Sequence, residues 1–149
     1  MKDVRLSENL KTLGNNTFSG CRSLERIEIP SSVTSMGDWT FEDCRSLVDV
    51  RLSESLIRLG DFTFYQCTAL NRIDIPASVT FIGRNIFSGC SILRTVVIHS
   101  DGVITFQPVQ TFPPGVRFYT NSPTVTAHLI TYRQQVFPKE EAPPVAGGF

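Results

Sequence analysis

The chain has 149 residues, enough for about one domain with a real core but not for two comfortable ones. Its 14 Lys and Arg balance 14 Asp and Glu, which leaves no formal net charge and a near-neutral pI. That balance counts against a nucleic-acid binder working by phosphate neutralisation and against an electrostatic membrane-surface binder, both of which need a basic excess on some face.

The opening stretch MKDVRLSENLKTLG lacks the apolar core of roughly 7–15 residues that a secretory signal carries. Nowhere does an apolar run approach the roughly 18 residues of a membrane span, so membrane insertion is not expected. Two settings stay open, a protein that remains inside the cell or a piece of a longer surface protein.

From Val4 onward one frame recurs every 23 residues, with full units beginning at Val4, Ile27, Val50 and Ile73 and a fifth starting at Val96 before it breaks down. The third position reads Leu6, Ile29, Leu52, Ile75 and Ile98. The seventh reads Leu10, Val33, Leu56 and Val79, and the tenth Leu13, Met36, Leu59 and Ile82. A glycine follows (Gly14, Gly37, Gly60, Gly83), then Phe18, Phe41, Phe64 and Phe87, then Cys21, Cys44, Cys67 and Cys90, then Leu24, Leu47, Leu70 and Leu93. A fixed period of this length marks a stacked repeat, because one unit cannot bury its apolar residues alone and successive units close a continuous core. Within each unit L‑x‑x‑Φ‑x‑Φ alternates with period two, a short strand with one face inward. The glycine is expected where a turn needs a permissive backbone.

The pattern L‑x‑x‑L‑x‑L is that of leucine-rich repeats. The fuller units IEIPSSVTSMGDWTFEDCRSL and IDIPASVTFIGRNIFSGCSIL closely resemble the 23-residue BspA-like class, over residues 4–98. Thr17, Thr40 and Thr63 depart from that class's usual alanine before the phenylalanine. The resemblance implies an α/β repeat fold, a right-handed solenoid with a parallel sheet of about five short strands and a small C-terminal strand–helix cap.

After Ile98 the frame fails, and a cap is needed to cover the last rung. VRFYT reads as a strand and NSPTVTAHLITYRQQ as a helix, with Ser122 at the N-cap and Pro123 at the first helical position. Val125, Leu129 and Tyr132 share one of its faces, and Val136–Phe137 reads as a closing strand. The expected division is a solenoid over 1–102, a cap over 103–138, and a disordered tail or linker over 139–149, where Pro, Gly, Ala and Glu dominate. The first strand has no equivalent cover, which suggests either truncation from a longer array or self-association through that edge.

Four cysteines in a line, one per rung, lack the close pairing of a zinc site, and neither metal nor cofactor is expected. Adjacent rungs stand near enough for disulfides, but equivalent side chains point the same way, so buried thiols acting as small hydrophobes are the simpler reading. The outward strand positions alternate in charge along and between strands: Asp3 and Arg5, Arg26 and Glu28, Asp49 and Arg51, Arg72 and Asp74. Such a checkerboard secures register in a solvated sheet, or it forms a polar recognition surface for a partner of mixed charge. Trp39 and Phe62 hold one position in successive units, with Tyr65 and Phe81 close by, as turn shielding or as a binding patch. The two histidines, His99 and His128, adjoin no recurring nucleophile in sequence.

These residues point to a non-catalytic module that binds a protein partner through Arg26, Glu28, Asp49, Arg51, Arg72 and Asp74 or through Trp39 and Phe62. The BspA-like resemblance adds adhesion as an expectation. A structural subunit docking through its N-terminal edge is the alternative.

Overall fold

A computed structural model describes residues 2–145. Each 23-residue unit contributes two short strands. The first of each pair are β1 (Asp3–Val4), β3 (Arg26–Glu28), β5 (Asp49–Arg51), β7 (Arg72–Ile75) and β9 (Thr95–Ile98). The second are β2 (Thr12–Leu13), β4 (Ser35–Met36), β6 (Arg58–Leu59), β8 (Phe81–Ile82) and β10 (Thr105–Phe106). Every pairing is parallel and joins equivalent residues of successive units, such as Arg26 with Asp49 or Arg58 with Phe81. This is the solenoid that the 23-residue period predicts.

The core is the stack of equivalent apolar positions. Phe18, Phe41, Phe64 and Phe87 lie face to face, with centroids 5.4, 5.6 and 6.0 Å apart, beside buried columns of leucine, isoleucine and valine. Burying each such side chain stabilises the fold by roughly 1.5–3 kcal/mol. The thiols run alongside and are free. They are more than hydrophobes: Cys44, Cys67 and Cys90 each donate to the carbonyl of the preceding unit's phenylalanine, Phe18, Phe41 and Phe64, at 3.1 Å. Burial pushes the Cys44 and Cys90 thiols up to about 12 and Cys67 up as well, so all three stay protonated donors.

The glycine column has a different cause from the expected one. None of Gly14, Gly37, Gly60 and Gly83 has a positive φ. A β-carbon on Gly60 would sit 2.5 Å from the Gly37 carbonyl carbon, so the glycines are there to let successive turns touch. Left-handed residues come two places later, at Asn16, Trp39, Phe62 and Asn85, with φ between 47° and 60°, and again at Asp43 and Gln66. Between the two lies a side-chain ladder. Asn15, Asp38 and Asp61 each accept the amide of the next unit's equivalent residue, at 2.7–2.9 Å.

The carbonyls of Gly14, Gly37 and Gly60 accept from the hydroxyls of Thr17, Thr40 and Thr63. Thr40 and Thr63 are buried and Thr17 is exposed. In the fourth unit Ile86 has no hydroxyl, and Gln110 supplies the missing donor, its Nε2 lying 2.7 Å from the Gly83 oxygen. The departure from threonine in one rung is thus matched by a residue beyond the array.

Past β10 the chain forms β11 (Arg117–Thr120), α1 (Pro123–Thr131) and β12 (Gln135–Phe137). β11 pairs with β9 and β12 with β11, which carries the parallel row two strands past the repeats. The Ser122 hydroxyl accepts from the Val125 amide and donates to the Gly102 carbonyl, fixing the helix start. Val125 and Leu129 are buried against the last rung, and the Tyr132 hydroxyl donates to the Pro108 carbonyl.

Two details add to the expected solenoid. The first-strand row is not one sheet but two, β1–β3–β5 and β7–β9–β11–β12, whereas the second-strand row is continuous from β2 to β10. The stretch after β12 is described through residue 145. Lys139–Glu141 forms a 3₁₀ turn, its first amide donating to Asn121. Residues 146–149 lie outside the described residues.

Candidate functional site

The strands turn alternate side chains outward, so the checkerboard follows from parallel in-register pairing of D‑x‑R and R‑x‑[DE] triplets. Arg26 sits between Asp3 and Asp49 at 3.8 and 3.7 Å, and Arg51 lies 4.0 Å from Glu28. These are loose, exposed pairs. The pattern changes at Arg72, whose cross-strand partner by alternation would be Asp49. Its Nε instead reaches Asp74 on its own strand at 2.7 Å, and Asp74 also meets His99 Nε2 at 2.9 Å. Burial raises the Asp74 pKa, but the hydrogen bonds from Arg72 and His99 outweigh it, and the carboxyl lies below its ordinary value. Arg72, Asp74 and His99 thus form one tied cluster beside the break in the backbone ladder.

Two adjoining cavities follow this face. One of about 770 Å³ includes Arg26, Glu28 and Arg51 in its lining. The other, of about 640 Å³, spans the β5–β7 division and includes Asp49, Arg51, Arg72, Asp74, His99 and Lys139. They share Arg51, Leu52 and Glu54. All six charged residues singled out from the sequence thus border one groove. His99 is in it too, paired with Asp74, a proximity that the sequence did not reveal because the two stand 25 residues apart. No serine, threonine or cysteine is among the described residues that line this second cavity.

Trp39 and Phe62 belong to a separate surface on the turns. Their rings stack at 4.1 Å with a 4° tilt, and Tyr65 meets both edge-on at 5.6 and 5.7 Å. All three are half-buried. Phe81 stands apart, under the Arg58 guanidinium. His128 is also separate, stacked on Phe106 at 4.5 Å, with its pKa lowered by burial. Among the described residues no three His, Cys, Asp or Glu side chains converge to hold a metal ion. No helix among them is long and apolar enough to cross a membrane.

A parallel solenoid with one apolar column per repeat position and a terminal helix defines a leucine-rich repeat protein. Residues 1–109 match the BspA type leucine rich repeat region in six copies, and the chain belongs to that family. Among solved structures it is similar to a leucine-rich repeat protein from Bacteroides ovatus, with 29% identity and a TM-score of 0.71 over 82% of this chain and 32% of that one. It is also similar to the leucine-rich repeat protein of T. pallidum, with 27% identity and a TM-score of 0.67 over 74% of this chain and 52% of that one. The pneumococcal vaccine antigen PcpA shares the fold, with 17% identity and a TM-score of 0.73 over 93% of this chain and 41% of its own. The chain thus spans between a third and a half of the length of these proteins. No curated protein matches it. Leucine-rich repeat proteins of this family are generally protein-interaction or adhesion-type modules.

Proposed function

We propose that this protein is a non-catalytic binding module that engages a protein partner in the groove along its first-strand row. The carrying observation is the run of two adjoining cavities bordered by Arg26, Glu28, Asp49, Arg51, Arg72 and Asp74. Both signs of charge alternate along it, which suits a partner segment of mixed charge and not a polyanion. The aromatic flank is a second contact surface. Trp39 and Phe62 hold a left-handed backbone that asparagine holds in the first and fourth units, at a cost of about 1–2 kcal/mol each. Bulky aromatics kept at strained positions suit a binding role.

Panning a displayed peptide library against the full chain tests this reading, with selected ligands re-measured on Arg51→Glu and on Trp39→Asn with Phe62→Asn. Loss of binding on Arg51→Glu is the expected result, since Arg51 borders both cavities. Loss only on the aromatic pair would move the site to the turns, and binding insensitive to both would end the proposal.

A second reading, a subunit docking through its N-terminal edge, draws on the first rung. Leu6, Leu10 and Cys21 are half-buried there, whereas their equivalents in units two to four are buried. Light scattering across a hundredfold dilution should then show a dimer that dissociates; a monomer throughout removes this reading.

A further inference from the structure

The cavity over the β5–β7 division already has an occupant. After β12 the chain turns at Lys139–Glu141, where Lys139 Nζ donates to the His99 carbonyl at 3.3 Å and lies 3.6 Å from Asp101. The segment then crosses the groove. The Pro143 carbonyl accepts from Arg72 Nη1, and Val145 borders the 640 Å³ cavity.

Resting on the groove reading above, we propose that the cavity over the β5–β7 division is a docking site for an extended, proline-containing segment of a protein partner. The chain's own residues 142–145 fill that site in cis.

The break in first-strand pairing falls beneath this cavity. The chain's own segment, extended at Ala142, shows what the cavity takes. Pro143 and Pro144 have no amide hydrogen, so this peptide offers acceptors, and the groove supplies the matching donor in Arg72. Asp74 binds the guanidinium through Nε and Nη2, and His99 holds Asp74 in turn. Nη1 is thereby aimed at the incoming carbonyl before a ligand arrives.

The cis occupant is also held lightly. Pro143 and Pro144 are exposed, and Val145 keeps 65% of its surface in solvent. A proline pair is pre-set in extended form and loses little entropy on docking. A partner segment of the same chemistry that fills the apolar place beside Val145 more deeply would displace it. The tail acts as a tethered competitor whose effective concentration is in the mM range for a short linker.

The probe is a fluorescein-labelled peptide EAPPVAGGF, the sequence of residues 141–149, followed by anisotropy. Three full-length proteins are compared: wild type, Pro143→Gly with Val145→Asp, and that pair combined with Arg72→Ala. The tail variant should bind the peptide about tenfold more tightly than wild type, because the cis competitor is gone. Arg72→Ala should abolish that gain, with circular dichroism confirming an intact fold and Arg72→Lys giving an intermediate affinity through loss of the fork.

Equal affinity of wild type and tail variant overturns the proposal, as does binding indifferent to Arg72. A dimer formed by tail exchange would reassign the cavity to a second copy and also overturn it. Library-selected ligands that bind the groove without competing with this peptide would sink this inference and leave the broader proposal standing. Ligands that ignore Arg51 would sink the broader one.

Discussion

The second-strand row, β2 to β10, runs unbroken through five rungs, whereas the first-strand row divides between β5 and β7. Both come from the same 23-residue unit, so the difference lies in what holds successive rungs together. Near the second strands and the turns that follow them, glycine contact, the Asn15–Asp38–Asp61 amide ladder, stacked phenylalanines and thiol-to-carbonyl bonds all impose one spacing. Along the outer face of the first strands the ties are exposed charges at 3.7–4.0 Å, each worth about 1 kcal/mol or less. A repeat built this way loses backbone pairing on its weakly tied side, and that is where the groove lies.

The comparison is most directly broken at Gly60. An alanine there would press its β-carbon against the Gly37 backbone at 2.5–2.6 Å, which no rotamer can relieve. Gly60→Ala should cost about 3 kcal/mol, at the upper end for overpacking, read as a lower urea midpoint. Alkali should act on the same side. The folded Cys44 and Cys90 thiols keep their protons to about 12, whereas unfolded thiols release theirs near the ordinary 9.0. Stability is therefore full below pH 9 and is lost as pH rises from there towards 12. Denaturation curves from pH 7 to 11 should show that loss, and Cys90→Ala should make it shallower.

Much of this architecture is legible in the sequence because it repeats. The period, the inward positions and the helix start at Ser122 each rest on local spacing that a single chain displays. The division between β5 and β7 is invisible there, since Asp49 and Arg72 look like one more opposite-charge pair in the alternation. Glycine misleads for a related reason: a recurring Gly signals either a left-handed backbone or close approach, and here it is the second. The left-handed sites were hidden because Trp39 and Phe62 are residue types that rarely adopt such a backbone. Nor does the composition of residues 139–145, which suggests a linker, reveal that Arg72 would find an acceptor in Pro143. Contacts between residues about 70 positions apart leave no periodic trace.

Gln110 sharpens the comparison at the cap end. Gln110→Ala would leave the Gly83 carbonyl without its 2.7 Å donor, at a cost of about 1–2 kcal/mol for a buried unsatisfied acceptor. Ile86→Thr in that background should recover part of the loss, because the first three units satisfy the equivalent carbonyl with a threonine hydroxyl. A full double-mutant cycle would show favourable coupling between Ile86→Thr and Gln110→Ala only if the two donors are interchangeable.

The smallest effect belongs to the open side. Glu28 and Arg51 face each other at 4.0 Å with about half of each side chain in solvent. Glu28→Ala should therefore change stability by about 0.5 kcal/mol or less, and less still at high salt. A larger loss would mean that the charges on the first-strand row do more than secure register. The groove would then be a stiff surface, and the break in pairing at β5–β7 would need a cause other than weak ties.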